Sequence, residues 1–346
     1  MRFAFTDQQL EFRNALRPVL DKECTTSDLR SAFAAPAPRS DRWNTLAEMG
    51  IVGLTVPEEH GGLGMGLLDL VLLLEEAGRA GLPEPLLETT ALAAPLLGAT
   101  AGSRSGTWLD QIAAGDVTAA VAPVDPAAGP AVAGGDGADL LVVHTVTPSG
   151  RPELHAVPAS AATTTPVASL DPTRRLATVH WDPSPATLLA SGEEAHVLLA
   201  DLADRAAVGS AALLLGLADR MIVLAAEYAR ERHQFGKPIG SFQAVKHLLA
   251  GAQVRLEFAR PAVYAAAWSL DGGEPDRSRA ASLAKASASD AATEAARVSL
   301  QVHGAIGYTW ECDLQLFLKR AWALAEAWGS AADHRQRILL SLLDER

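Results

Sequence analysis

Four long segments in the C-terminal half of the chain can each form an uninterrupted helix, and they constrain the fold more than any other feature. They are rich in Ala and Leu, which are strong helix formers, and Pro261 is their only interior proline. Long helices joined by short glycine-containing breaks predict a four-helix bundle over residues 193–346. The four segments are Leu198–Arg232, Ser241–Asp271, Asp276–His303 and about Cys312–Asp344.

The most apolar stretch of the chain lies within the first of these helices, at Val208–Ala226. Asp219 and Arg220 stand side by side in its middle. Two adjacent charges are costly in the hydrocarbon core of a bilayer. The stretch is therefore expected to be a buried helix and not a membrane span.

The N-terminal region, residues 1–115, is expected to form a helical domain. Thr6 can cap a helix over Asp7–Leu20, with Gln9 at the capping-box position. A second helix is predicted at about Asp41–Met49, and Leu67–Arg79 has the apolar spacing of a strong amphipathic helix.

The middle region, residues 116–192, changes to a composition rich in Ala, Gly, Pro, Thr and Val. Its strand-like runs are Ala138–Thr147, Leu154–Pro158 and Leu176–Trp181, with turn-forming clusters between them. The chain as a whole is therefore predicted to be mainly α with a small β-domain, in the order helical domain, β-domain, helical bundle.

The charge and the side-chain inventory limit the ligands. A formal net charge of −12 argues against nucleic acid, because phosphate binding needs a cationic surface. An anionic cofactor would have to be held by a few local Arg or Lys side chains. Cys24 and Cys312 stand alone, which predicts free thiols in a reducing cytoplasm. The N-terminus lacks the apolar core of an export signal, and no histidine spacing suggests a metal site.

Five motifs, in order, resemble the acyl-CoA dehydrogenase family over essentially the whole chain. They read FTDQQLEFRNALRPVL, LAEMGIVGLTVPEEHGGLG, LDPTRRLATV, YARERHQFGKPIGSFQAVKH and QVHGAIGY. The resemblance implies a fold with an N-terminal helical domain, a middle β-barrel-like domain and a C-terminal four-helix bundle. It also implies FAD as cofactor and an acyl-CoA thioester as substrate, with α,β-dehydrogenation as the reaction.

The resemblance assigns five residues to FAD. Arg232 matches an arginine that reaches across a subunit interface to the pyrophosphate of a neighbour's FAD, where a planar, permanently charged guanidinium suits two phosphates. Phe235 matches an aromatic beside the dinucleotide, and Gln243 matches an amide that contacts the adenosine half. Gln301 and Gly304 match the family's Q-x-x-G-G loop, although Ala305 replaces its second glycine.

The family's catalytic base is a glutamate, and both positions known for it differ here. Ungapped alignment places Trp328 at one and Ala206 at the other. Neither can take a proton, since an indole N–H only donates. Asp204 matches an aspartate that helps to hold substrate, but the arginine expected three residues later is Ala207. No catalytic residue is therefore predicted at these positions.

The segment AVAPVDPAAGPAVAGGDGAD, residues 120–139, lacks the family's T-E-P-x-A-G-S-D motif for gripping the flavin ring. The residues that act on a neighbour's FAD are thus kept, while those that act on the chain's own flavin are missing. Short, base-less subunits of actinobacterial steroid side-chain enzymes share this pattern. The resemblance implies a two-plus-two heterotetramer with a full-length partner, holding two FADs.

Two alternatives remain open at this stage. The chain could be a self-sufficient homo-oligomer with a displaced base, for which Glu326 is the best candidate. On a continuous helix, however, Glu326 would point away from the side that carries Trp328. The chain could also be a flavin-free scaffold subunit. The sequence leaves the acyl group, the stoichiometry and the pathway undetermined.

Overall fold

The computed structural model describes residues 4–37, 39–100, 103–124 and 129–344. The described helices are α1 Asp7–Glu23, α2 Thr26–Ala34, α3 Asp41–Glu48, α4 Leu67–Ala80, α5 Ala94–Gly98, α6 Ser103–Ala114, α7 Glu193–Glu231, α8 Gln243–Asp271, α9 Arg277–His303, α10 Leu314–Glu326 and α11 Ala331–Asp344. The described strands are β1 Ala119–Val121, β2 Ala131–Val132, β3 Leu140–Val146, β4 Pro152–Pro158, β5 Ala162–Pro166, β6 Ala177–Trp181, β7 Leu188–Ser191, β8 His233–Gln234 and β9 Lys237–Pro238. The fold is mainly helical with a small sheet region, as the sequence predicts.

The chain divides into two compact units. The first contains residues 1–30, 71–82 and 210–346, and the second contains residues 31–70 and 83–209. The first unit is helical apart from one short hairpin, whereas the second holds both larger sheets. The boundaries predicted near residues 115 and 192 stay predictions.

The start of α1 confirms the predicted capping box. The Thr6 hydroxyl accepts from the Gln9 N–H at 3.2 Å, and the Gln9 side chain accepts from the Thr6 N–H at 2.8 Å. Two of the unsatisfied N–H groups at the helix end are thereby paired. The helix extends three residues beyond the predicted end, to Glu23.

Within the first unit, two glycines let α4 and α7 approach closely. A Cβ at Gly78 would overlap the Leu213 carbonyl, and one at Gly216 would overlap the Glu75 carbonyl. Beside this contact, Arg260 of α8 pairs with the largely buried Glu75, which also accepts from the Tyr264 hydroxyl at 2.5 Å. Close backbone packing and a compensated buried charge together hold these three helices.

The long helix α7 contains an apolar window with a mean hydropathy of 1.7, enough by length and composition alone to cross a membrane. Within the protein, however, 72% of that window is buried. Met221 and Leu217, for example, are fully buried. This burial is the pattern of a core helix, as predicted for Val208–Ala226.

The second unit contains a four-stranded sheet in the order β1-β3-β4-β7 and a three-stranded sheet in the order β2-β6-β5. The β1 strand runs parallel to β3, and the other pairs are antiparallel. A shared apolar core lies among them, formed by Ala120, Val132, Ala138, Leu141, Val143 and Val157. The sequence predicts β3, β4 and β6, but it does not identify β1, β2, β5 or β7, which are short or weakly apolar.

The last predicted helix, about Cys312–Asp344, is wrong as a single element. The chain leaves the helical conformation at Ala327. The next two residues, Trp328 and Gly329, adopt φ values of +60° and +95°, and α11 starts at Ala331. A positive φ is incompatible with a right-handed helix. The break falls at one of the two positions discussed above for a catalytic base.

Candidate functional site

The stretch after α7 forms a tight hairpin that projects an aromatic ring. Strands β8 and β9 pair His233 with Pro238 and Gln234 with Lys237, leaving Phe235 and Gly236 as a two-residue turn. Both turn residues have positive φ, +53° and +78°, as a type I′ turn requires. A bulky residue is strained in that region. The turn leaves the Phe235 side chain 91% exposed.

Arg232 lies at the base of this hairpin with its backbone held on both sides. Its N–H donates to the Tyr228 carbonyl at 2.8 Å, and its carbonyl accepts from the Ile239 N–H at 2.8 Å. Its guanidinium is exposed and makes no hydrogen bond or ion pair with the described residues. The fixed backbone and unengaged charge leave all the donors of the guanidinium for an external anion.

Gln243 is the first residue of α8 and is exposed. No side chain caps the N-terminus of this 29-residue helix. Backbone N–H groups and the positive end of the helix dipole therefore face the same region as the Gln243 amide. This combination suits a ligand that carries both negative charge and hydrogen-bonding groups.

Gln301 and Gly304 lie at the C-terminal end of α9. Gln301 is exposed in the last turn, and Gly304 ends the helix with φ +64° and ψ −140°, a conformation open almost only to glycine. The His303 ring between them stacks on the Tyr228 ring of α7, with centroids 4.5 Å apart and planes 18° apart. The structure thus brings the ends of α7 and α9 together.

Arg232 and His303 differ in charge at neutral pH. The Nδ1–H of His303 donates to the Ser299 carbonyl at 2.8 Å, and burial lowers the pKa of the imidazole. The ring is therefore neutral at neutral pH. Arg232 accordingly supplies fixed positive charge that His303 does not. An exposed guanidinium, an uncapped helix N-terminus and an exposed aromatic ring fit the pyrophosphate and adenosine parts of FAD.

The two remaining sequence-predicted positions on α7 lie in the second unit. Ala206 is fully buried, and Asp204 is 2% exposed. A methyl side chain has no proton-accepting atom, which agrees with the absence of a base at that position. The predicted role of Asp204 in holding substrate stays a prediction.

Two buried polar side chains form hydrogen bonds to the main chain within the loop over residues 327–330 and just before it. The Lys285 ammonium, fully buried, donates to the carbonyls of Leu324 at 3.0 Å and Ala325 at 2.8 Å. It thereby satisfies carbonyls at the C-terminal end of α10, where a cation is also favoured by the dipole. His334, 1% exposed, donates from Nε2 to the Trp328 carbonyl at 2.9 Å.

The N-terminus of α11 is fixed as well. The Ser330 N–H and hydroxyl donate to the Asp333 carboxylate at 2.8 and 2.7 Å, and these bonds lower the pKa of that carboxyl. The hydroxyl of Ser330 in turn accepts from the Asp333 N–H at 3.3 Å. The loop that carries Trp328 is therefore a defined turn and not a frayed helix end.

We expect the protein to lose stability in acid through His334. Burial lowers the pKa of its imidazole from 6.5 to about 4. Between these values the unfolded chain binds a proton that the folded chain does not, so the free energy of unfolding falls as the pH falls. The loss by pH 4 is about 3 kcal/mol. Denaturant unfolding at a series of pH values measures it.

The matched variant is His334→Gln, which keeps a side-chain donor but does not titrate. The difference in unfolding free energy between the wild type and this variant should shrink by about 3 kcal/mol from pH 7 to pH 4. Parallel pH profiles of the two proteins would contradict the account.

Glu326 is the last residue of α10 and is exposed. The expectation that it lies on the opposite helix face from Trp328 is wrong, because Trp328 is not on a helix. Glu326 lines a cavity of about 380 Å³ within the first unit. The other lining residues are Arg255, Ser289, Asp290, Thr293, Glu294, Ala325 and Ala331.

Sequence reasoning did not single out Tyr228, Lys285 or His334, and it gave His303 no role in binding. Lys285 interrupts a run of Ala and Ser on α9 that is otherwise small and buried, and this contrast could have identified it. Among the described residues, no group of three or more His, Cys, Asp or Glu side chains could hold a metal ion.

Comparison with known proteins extends over nearly the whole chain. Residues 6–116 match the acyl-CoA dehydrogenase N-terminal domain, and residues 200–343 match the C-terminal domain. The chain is 34% identical over 336 residues to acyl-CoA dehydrogenase IpdE2 of Mycobacterium tuberculosis, covering 96% of each.

Two solved structures are also similar. The ChsE4–ChsE5 complex from Mycobacterium tuberculosis matches with a TM-score of 0.89 at 25% identity, covering 99% of each chain. A variant of the Tcur3481–Tcur3483 steroid ACAD matches with a TM-score of 0.88 at 26% identity, covering 98% of each chain. The motifs identified in the sequence therefore lie within a similarity that spans both units.

Proposed function

Because this chain belongs to the acyl-CoA dehydrogenase family, we propose that it is the non-catalytic subunit of a heteromeric acyl-CoA dehydrogenase. It donates Arg232, Phe235, Gln243, Gln301 and Gly304 to FAD that is held mainly by a full-length partner. FAD, when bound, accepts the hydrogen removed from the β-carbon of an acyl-CoA thioester. The base that removes the α-proton comes from the partner.

The observation that carries this proposal is the solvent exposure of the side chains proposed to contact FAD. Arg232, Gln243 and Gln301 are exposed and make no side-chain hydrogen bond with the described residues. The strained turn exposes Phe235 almost completely. Strain is retained where it serves a contact, and here the ring meets the neighbouring Phe242 ring only edge-on, at 6.1 Å between centroids, and is otherwise open to a ligand. Such a display suits a ligand presented by another chain.

The absence of a base supports the same conclusion. The two family positions for the glutamate hold Trp328 and Ala206. The buried clamp around the 327–330 loop gives Trp328 a defined place and leaves no carboxylate at that point. The solved relatives ChsE4–ChsE5 and Tcur3481–Tcur3483 are named as pairs, which supports a partner subunit here.

The first test is the flavin content of the chain made with and without a partner. Purified alone, the chain should lack flavin absorbance. Co-expressed with a full-length acyl-CoA dehydrogenase subunit that carries the glutamate, it should co-purify with that subunit as a yellow complex. Stoichiometric flavin in the lone chain would contradict the proposal.

A second candidate function is a self-sufficient dehydrogenase that uses Glu326 as a displaced base. The cavity that Glu326 lines with Arg255 is the observation that favours it. If this function were correct, the lone chain would oxidise an acyl-CoA and Glu326→Gln would abolish the activity. We expect no activity from the lone chain, and we expect Glu326→Gln to leave the activity of the co-expressed complex unchanged.

A further inference from the structure

The stacked rings of Tyr228 and His303 connect the two helix ends that carry residues proposed to contact FAD. Arg232 follows the end of α7, and Gln301 and Gly304 lie at the end of α9. Tyr228 is on the last full turn of α7, four residues before Arg232, and His303 is the last residue of α9, between Gln301 and Gly304. Their ring centroids are 4.5 Å apart and the rings are nearly parallel, at 18°. Both rings are partly buried. Stacking of this kind stabilises the contact by more than the burial of its surface area alone would.

Each ring belongs to a residue within one helical turn of the residues it would position. The Tyr228 carbonyl accepts from the Arg232 N–H at 2.8 Å. The His303 Nδ1–H donates to the Ser299 carbonyl at 2.8 Å, which fixes the tautomer and the plane of the ring. The stack is therefore a side-chain contact that holds the Arg232 end of α7 against the Gln301–Gly304 end of α9.

A second contact between the same helices lies farther from the site. The Ser299 hydroxyl, fully buried, donates to the Met221 carbonyl at 2.9 Å. This bond ties α9 to α7 about three turns before Arg232. It uses only the Ser299 hydroxyl, whereas the Ser299 carbonyl that accepts from His303 belongs to the main chain and is kept when Ser299 is replaced by alanine. It therefore offers a control for a purely structural effect.

We infer that Tyr228 and His303 are positioning residues that set the Arg232 guanidinium and the Gln301–Gly304 turn at the spacing required by one dinucleotide. The inference rests on the proposed function, since the dinucleotide is the FAD of the complex. The effect of the two rings is transmitted through the backbone of Arg232 and through the end of α9.

A double-mutant cycle in the co-expressed complex tests this inference, with FAD affinity as the readout. Tyr228→Ala should weaken FAD binding about tenfold when Arg232 is present, and by no more than about twofold in an Arg232→Ala background. Tyr228→Phe keeps the ring and should retain the wild-type affinity. Ser299→Ala removes the distant tie and should lower thermal stability without changing FAD affinity.

Equal losses of FAD affinity in the two backgrounds, or no loss with Tyr228→Ala, would overturn the inference. If Tyr228→Ala does not assemble, His303→Ala removes the same stack from the α9 side, and the same two backgrounds are compared. If Arg232→Ala alone leaves FAD affinity unchanged, the proposed function itself fails. If Arg232→Ala and Tyr228→Ala each weaken FAD binding and their effects on the binding free energy are additive, only the positioning role is contradicted and the proposed function stands.

Discussion

Replacing Arg232 with alanine is expected to weaken FAD binding by the assembled complex about a hundredfold. The guanidinium is exposed, permanently charged and free of partners among the described residues, so its donors are available to a pyrophosphate. Charge-assisted hydrogen bonds to a phosphate contribute about 2–3 kcal/mol, which corresponds to roughly that factor. Fluorescence titration of the apo-complex with FAD measures the change.

The side chain of Arg232 makes no contact that would stabilise its own fold, so Arg232→Ala should leave assembly and thermal stability unchanged. Arg230→Ala is the matched control, because Arg230 is also exposed and lies in the last turn of α7. It should leave FAD affinity unchanged. Arg232→Lys keeps the charge without the planar fork and should give an intermediate affinity. Wild-type affinity in Arg232→Ala would show that this residue does not serve FAD.

Replacing Lys285 with methionine is expected to lower the free energy of unfolding by about 3 kcal/mol. The ammonium is fully buried, and it donates to two carbonyls at the end of α10 and to the Ser289 hydroxyl at 3.1 Å. Methionine fills a similar volume but removes this donor from both buried carbonyls, leaving Ala325 only the long bond from the Ser289 hydroxyl at 3.5 Å. A buried polar group that loses its partner costs about 1–3 kcal/mol. Denaturant unfolding at neutral pH measures the loss.

The control for this prediction is Lys22→Met, because the Lys22 side chain is 84% exposed. It should change the free energy of unfolding by no more than about 0.5 kcal/mol. Lys285→Met should also increase hydrogen exchange at the amides of residues 327–330, since the clamp on this loop is released. Unchanged stability in Lys285→Met would contradict the role assigned to this ammonium.

The local signals in the sequence identify much of the fold. The Thr6 cap, the amphipathic helix α4 and the strands β3 and β6 each follow from neighbouring residues, because capping and periodicity are local properties. Short strands such as β1, which pairs with β3 across about twenty residues, depend on distant partners and carry little signal of their own.

The break between α10 and α11 shows why part of the site could not be predicted. Gly329 and the Ser330-x-x-Asp333 capping pattern do give a local signal for a break, but the Ala-rich segments on either side are good helix formers and favour one continuous helix. The chain turns there with positive φ while contacts from Lys285 and His334 hold its carbonyls. The Lys285 contact joins residues 40 positions apart, and His334, six positions after Trp328, also contacts Ser282, 52 positions away. These distant contacts leave no local signal in the sequence.

The residues proposed to contact FAD are the opposite case for prediction. Arg232, Phe235 and Gln243 belong to one contiguous motif, and the hairpin and the start of α8 leave all three exposed. The motif does not indicate that the end of α7 contacts the end of α9. That contact depends on Tyr228 and His303, which are 75 positions apart in the chain and meet only in the folded unit.

The number of flavins in the purified complex tests the central claim most directly. If this chain donates contacts to FAD that its partner holds, the complex contains one FAD for every pair formed by one copy of this chain and one partner. Flavin absorbance of the denatured complex, set against chain content from quantitative amino-acid analysis, gives the ratio. The account predicts one FAD per two chains. A ratio of one FAD per chain would contradict it.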